Sequence, residues 1–338
     1  MDKRYLGDIQ VSEVGMGCMG FSHGYGQIPE RQYSIEAIRM AYDAGCTFFD
    51  TAEGYGAQLY HMGHNEEIVG EAVAPFRDSV VLATKFHFKP EDHADGSVLY
   101  ASVRRHLEES LSRLQTDFVD LYYLHRVTED VPVEDVAEVM GHLVNDGLIR
   151  GWGLSQVSVD TLSRAHAIAP LSAVQNLYNM LERDCEADVF PYCLENNIGV
   201  VPFSPVASGL LSGKIDAKTE FEKVDDVRSW VPQLSRENIE GNQPIVDAIA
   251  ELANAKGATP AQIAMAWMLR KYPNCVPIPG SKNKERILEN LGAADVALSG
   301  EEFDALEARL DELEVFGHRG HVEVDGKGFL TNEPNREV

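Results

Sequence analysis

Five cysteines occur in 338 residues (Cys18, Cys46, Cys185, Cys193 and Cys275), and no two stand in a C-x-x-C spacing. An odd, scattered set excludes a complete disulfide framework and a zinc ribbon, and points to a reduced, cytoplasmic setting. No run of 18 apolar residues occurs, and the opening MDKRYLGDIQ lacks the apolar core of a signal peptide. Nothing therefore directs the chain to a membrane. Basic residues are scarce, with 29 Lys and Arg against 54 Asp and Glu and a formal net charge of -25. That balance repels phosphate backbones and anionic lipid, which argues against nucleic-acid or membrane partners. Internal repeats and low-complexity tracts are also missing, which excludes a solenoid.

The chain is otherwise ordinary, 44% hydrophobic and 25% charged, and long enough for one large domain spanning residues 1–338. Short apolar runs alternate with helical patterns as far as about residue 315. EVGMG, CTFFD (46–50), VVLATK (80–85), FVDLYYL (118–124), IRGWGLS (149–155), SAVQN (172–176), GVVPF (199–203) and CVPIP (275–279) make eight predicted strands. Helical patterns lie between them: SIEAIRMAYDAG ending on Gly45, a segment opening on Ser97, VEDVAEVMGHLVNDG closing at Gly147, DTLSRAHAI, DCEADVFPYCLENN with its internal Pro191, and PIVDAIAELANAKG. Strands apolar on both faces and separated by single helices imply parallel pairing with helices outside. Eight such units suggest a closed (β/α)8 barrel, although an open doubly wound sheet satisfies the same periodicity. A hairpin around Gly7-Asp8 precedes the first strand and would plug the barrel's bottom. The stretch 214–243 reads as a long polar insertion after strand seven and a candidate lid. Residues 317–338 read as a polar tail beyond a core of about 5–315.

Gly15, Gly17 and Gly20 spell G-x-G-x-x-G. In a dinucleotide-binding fold these glycines join a strand directly to a helix whose N-terminus takes the pyrophosphate. Here another loop, SHGYGQIPER, follows, so the pattern reads as a strand-end loop.

Four polar residues fall at or just past the ends of successive strands: Asp50 and Tyr55, then Lys85, then His125. Each alone could be a cap, a packed ring or a solvated charge, but together they share the rim where a barrel concentrates its chemistry. A tyrosine is a poor acid at neutral pH, and a lysine ammonium beside it is expected to lower its pKa. An aspartate would hold that lysine charged, and a histidine could bind a carbonyl oxygen. The set offers a general acid and an oxyanion site without a strong nucleophile, which suits carbonyl reduction with hydride brought by a cofactor. Two histidine pairs, HMGH at 61–64 and HRGH at 318–321, raise a metal-dependent hydrolase as another reading. Both pairs fall in predicted loops that do not aim two rings at one ion, and no metal is expected.

GCTFFDTAEGYG, Thr84-Lys85, DLYYLH, GLIRGWGLS, VPFSPVASGLLSGK and PIPGSKNKERILEN occur in order over residues 5–315. In this the chain resembles the aldo-keto reductase superfamily; MGF…YG after strand one and LHR…VPVEDV after strand four make it most similar, within it, to the bacterial and fungal, pyridoxal-reductase-like aldehyde reductases. The resemblance implies a (β/α)8 barrel that binds NADP(H) in extended form, with Tyr55 as proton donor, Lys85 and Asp50 tuning it, and His125 orienting a small-molecule carbonyl substrate. It further implies that Ser155 and Gln175 hold the carboxamide and that Phe203 stacks on the nicotinamide. Gln156 stands where the family usually has Asn, keeping the amide of that carboxamide contact with one methylene more. Gly17, Met19 and Gly20 would let backbone pass close to the nicotinamide. Ser204, Gly209, Leu211 and Lys214 would cover the pyrophosphate, Ser281, Lys282 and Arg286 would grip the 2'-phosphate, and Glu289 and Asn290 would lie near the adenine. GSKNKER running into a helix start agrees with an anion site. Phe21, Phe86, His87, Tyr123 and Trp230 are expected to line the substrate pocket. A cofactor-sensing regulatory module, as in potassium channel β subunits, uses the same barrel and is the alternative. Oligomeric state is not legible.

Overall fold

The computed structural model describes residues 1–89, 92, 99–221, 224–320 and 324–325. β1 (Lys3–Leu6) and β2 (Ile9–Ser12) form the antiparallel hairpin, turning at Gly7 in the left-handed region. Seven parallel strands then follow in chain order: β3 (Met16–Gly17), β4 (Phe48–Asp50), β5 (Val81–Phe86), β6 (Val119–Leu124), β7 (Ile149–Ser155), β8 (Ala173–Gln175) and β9 (Gly199–Val200).

The predicted eighth strand closes the sheet. Val276 N donates to Val200 O at 2.8 Å, and Ile278 N donates to Pro202 O at 3.2 Å. On the opposite edge Gly15 N donates to Pro277 O at 2.9 Å and Gly17 N to Pro279 O at 3.3 Å. Pro277 and Pro279 have no N–H to return, so this seam carries half a ladder and 275–279 is a strand by its partners alone. The seam also explains two of the opening glycines. A Cβ on Gly15 would sit 2.6 Å from the Phe48 ring, and one on Gly17 would sit 2.9 Å from Ile278 O. Close approach at the closure, and no phosphate turn, requires them.

Side chains alternate along the strands. Phe48, Ala83, Leu121, Tyr123, Val201 and Ile278 fill the barrel interior, where Leu6 and Val11 of the hairpin join them and close one end. The opposite strand faces pack outward against helices. These are α1 (Arg31–Asp43), α2 (His64–Val73), α3 (Leu99–Leu114), α4 (Val133–Asn145), α5 (Val159–Ile168), α6 (Val189–Glu195), α7 (Arg236–Lys256), α8 (Pro260–Lys271), α9 (Lys284–Leu291) and α10 (Gly300–Asp311).

Several expectations change. Ser97 lies outside the described residues. α7 starts at Arg236, capped by Ser235 accepting from Asn238 N, and carries Pro244 inside it. The insertion therefore ends at 235 rather than 243, because a good N-cap outweighs one missing amide. Pro191, by contrast, falls in the first turn of α6, where no amide partner is needed. His64 opens α2 instead of lying in a loop. The described residues of the predicted polar tail contact the barrel: His318 O accepts from Gln233 N at 3.0 Å, and Arg319 N donates to Glu182 Oε1 at 2.7 Å. Further on, Asp325 Oδ1 accepts from Ser158 N at 3.1 Å. In this stretch of polar composition, the described hydrogen-bonding groups have partners on the barrel's loop end.

Candidate active site

The strand ends bring Asp50, Lys85 and Gln175 together at the top of the barrel. Lys85 is fully buried, with its Nζ bonded to Asp50 Oδ1 and to Thr51 O at 2.7 Å. Gln175 Nε2 donates to the other Asp50 oxygen at 2.9 Å. After β4 the chain turns sharply, with Tyr55 N donating to Ala52 O and Gly56 left-handed. That turn returns the Tyr55 ring over the lysine, its hydroxyl 3.3 Å from Lys85 Nζ. His125, whose amide donates to Phe86 O, sets its ring 5.7 Å from the Tyr55 ring in an edge-on approach. The four predicted rim residues thus form one constellation.

Burial opposes the charge on Lys85, but Asp50 and Tyr55 override it and hold the ammonium's pKa above its usual value. For Tyr55 the outcome departs from the expectation. Burial pushes the phenol up and Asp50 adds to this, so that Lys85 lowers it only in part and the net direction is upward. The tyrosine is a retained proton and so a donor. Burial, with His87, Arg126, Lys85 and His23 nearby, drives His125 well below its ordinary pKa, and burial brings His87 down to about 4. Both rings are neutral at pH 7. Among the described residues His125 Nδ1 is buried without a partner. An orphaned acceptor costs less than an orphaned N–H, which favours the proton on Nε2, where it can be donated.

Sequence reasoning missed Arg126, whose Nη1 donates to Ser155 Oγ at 2.9 Å and His125 O at 2.5 Å; its adjacency to His125 was the available signal. It also missed His23, whose ring lies 5.4 Å from that of Tyr55. Position in the loop after β3 offered no signal there, because a loop's aim is set by what packs on it.

Three of the expected lining residues are buried in packing layers instead. Phe86 follows inward Lys85 and therefore points outward, against Tyr122 and Phe88. Phe21 is buried in the outer packing layer as well. Tyr123 faces inward but lies fully buried within the barrel filling. Trp230 is about half exposed and meets the returning chain at Gly320. His87 keeps its place, its ring 4.1 Å from that of His125.

The cofactor positions divide similarly. Ser155 and Gln175 are buried beside the constellation, and Phe203 packs half-buried on the barrel interior. Gln156 is left-handed, and its Oε1 accepts from Leu177 N at 2.9 Å, so its amide is engaged elsewhere. The loop 204–213 holds Ser204, Ala207, Ser208 and Gly209 at positive φ, and among the described residues Ser208 Oγ is buried without a partner. Such backbone forms anion-binding concavities, and the orphaned hydroxyl fits a pyrophosphate oxygen. Leu211 is wholly buried, so only its backbone is available to a ligand. Lys214 pairs with Glu289 at 2.9 Å, joining this loop to α9. Gly20 in the Met19–Phe21 turn faces Lys282, whose Nζ is held by Tyr25 O at 2.6 Å and Gln27 O at 2.5 Å. Ser281 and Asn283 form the turn into α9, where Asn290 is buried. Arg286 is exposed on the first turn, and among the described residues no carboxylate pairs with it. The residues present fit a dinucleotide phosphate.

The histidine pairs are engaged separately. His61 Nε2 meets Glu67 at 3.0 Å and His64 Nδ1 meets Ser22 Oγ at 2.9 Å; His318 Nδ1 accepts from Gly320 N, and His321 lies outside the described residues.

A parallel α/β barrel with a Tyr–Lys–Asp–His rim and a phosphate-fitting loop defines the class as a barrel oxidoreductase. The model of the aldo/keto reductase family matches residues 13–311, and the chain belongs to that family. It is 37% identical over 322 residues to probable aldo-keto reductase 1 of Glycine max, covering 94% of this chain and 90% of that protein. Among solved structures, a glycerol dehydrogenase from Gluconobacter oxydans is 29% identical with TM-score 0.81, covering 92% of this chain and 95% of that one. An aldo-keto reductase from Klebsiella pneumoniae in complex with NADPH is 30% identical with TM-score 0.71, covering 91% and 95% respectively.

Proposed function

We propose that this chain is a single-domain, cytoplasmic, NADPH-dependent reductase of small aldehydes and ketones. The observation that carries the reading is the Tyr55 hydroxyl 3.3 Å from a lysine that is itself buried against Asp50. The NADPH-bound Klebsiella relative supports the cofactor, and the five free cysteines support a reducing compartment. Its place among pyridoxal-reductase-like aldehyde reductases rests on MGF (19–21) and YG (25–26) after strand one and on LHR (124–126) and VPVEDV (131–136) after strand four.

When bound, NADPH would supply the hydride that reduces the carbonyl. Neutral His125 donates from Nε2 to the carbonyl oxygen and fixes its orientation. Tyr55 gives its proton to that oxygen as charge develops, and the Lys85 ammonium stabilises the phenolate left behind. Asp50 keeps Lys85 charged, and Gln175 keeps Asp50 aimed. Phe203, Ser155, the 204–214 loop and the turn into α9 would hold the cofactor.

Mixing the protein with NADPH and 4-nitrobenzaldehyde is expected to consume NADPH well above background. NADPH binding without turnover would favour the regulatory module. Arg286→Ala is expected to weaken NADPH by roughly tenfold or more, the scale of a lost charge-assisted hydrogen bond, and NADH hardly at all. Equal losses measured by fluorescence titration would remove Arg286 from the 2'-phosphate.

A further inference from the structure

Behind the rim, His106 of α3 is buried between two carboxylates. Its Nδ1 lies 2.8 Å from Glu53 Oε2 and its Nε2 lies 2.9 Å from Asp92 Oδ2; all three side chains are almost wholly excluded from solvent. A neutral imidazole has one N–H, and an ionised carboxylate accepts only. Two such contacts require the imidazolium. Neighbouring charge agrees. Arg113 of α3 faces Glu53 and pairs with Glu66 of α2, Arg105 of α3 pairs with Asp92, and Glu109 lies on the solvent side of both arginines. Around His106 the three buried carboxylates Glu53, Glu66 and Asp92 are balanced by the two guanidiniums and a charged ring. From the sheet, Phe86 of β5 lies 5.6 Å from the ring, the Tyr122 hydroxyl of β6 is held protonated by burial, and His87 is neutral. Burial lowers the pKa of His106, but its bonds to Glu53 and Asp92 outweigh that and raise it.

Each carboxylate also holds a loop. Glu53 stands two residues before Tyr55, its amide donates to Lys85 O at 3.0 Å, and its Oε1 accepts from the His87 amide at 3.0 Å. Asp92 Oδ2 accepts from Lys89 N at 2.7 Å. The histidine thus ties the segment carrying Tyr55 to the segment carrying His87.

We propose that Glu53, His106 and Asp92 form a charged clasp that positions Tyr55 and His87 against His125, and that it loosens at alkaline pH when His106 loses its proton. The proposal rests on the reductase reading. A group whose folded pKa is raised contributes below its unfolded value and is lost as pH rises through the folded one, so the effect belongs to the alkaline side.

The test compares wild type with His106→Gln and Glu53→Gln, using NADPH and 4-nitrobenzaldehyde across pH 6–10, with thermal melts alongside. In either variant kcat/KM is expected to fall by roughly ten- to a hundredfold, the scale of a sub-ångström to 1 Å misplacement, while the NADPH Kd stays within about twofold. The alkaline decline of wild-type kcat/KM should shift or vanish in both. Nitrogen NMR of the wild-type His106 ring, which needs no folded variant, should show an imidazolium at pH 7 that titrates with the same midpoint. A neutral ring at pH 7, or folded variants with wild-type kcat/KM and pH profile, overturns the clasp. Absence of turnover in the wild type overturns the reductase reading, and the positioning role with it.

Discussion

Tyr55→Phe is expected to lower kcat for carbonyl reduction by about 10² to 10⁴, the usual contribution of a positioned general acid. The ring stays in place, because its packing over Lys85 and beside His125 does not need the hydroxyl. What goes is the proton donor. Since the hydroxyl acts as negative charge develops on the carbonyl oxygen and grips no cofactor atom, kcat and kcat/KM should fall together while NADPH affinity changes little. Steady-state kinetics with a fluorescence titration would check this, and retained turnover would remove Tyr55 from its role.

The second large effect is on stability. Asp50→Ala removes the partner of an ammonium that has no solvent exposure, leaving it with Thr51 O and Tyr55 alone. Leaving one member of a buried pair uncompensated typically costs about 3–5 kcal/mol, a large share of the roughly 5–15 kcal/mol that stabilises a domain. Denaturant unfolding should therefore show a much lower midpoint, with activity lost as well. Adding Lys85→Met should recover much of the stability and none of the activity, because the stranded charge is gone while the catalytic pair stays broken. A double variant no more stable than Asp50→Ala would show that the loss comes from packing.

Asp50, Lys85 and His125 were legible because a barrel strand has a period of two and its active end is fixed by chain direction. Those rules convert a sequence position into a place on the rim. The same period takes Phe86 out of the pocket. Three successive residues cannot share a face, so Lys85 and His87 point inward and Phe86 does not. Tyr123 has the inward parity but lies within the interior filling, and depth below the rim is not encoded in parity. His23, Arg126 and the clasp depend on loops and on α3, which meet only in the folded chain.

The sequence by itself determined the alternation of strands and helices, their parallel pairing, and the strand-end residues that would carry acid–base chemistry. These follow from local hydrophobic period and chain direction, which need no knowledge of distant contacts. Tertiary structure alone decided that the sheet closes into a barrel, that Gly15 and Gly17 serve the closing seam, and that the described residues 318, 319 and 325 bond to the barrel. It also decided that Tyr55 keeps its proton. Each depends on which groups remote in sequence are packed together away from water, and burial there sets the cost of every charge and every unpaired polar atom.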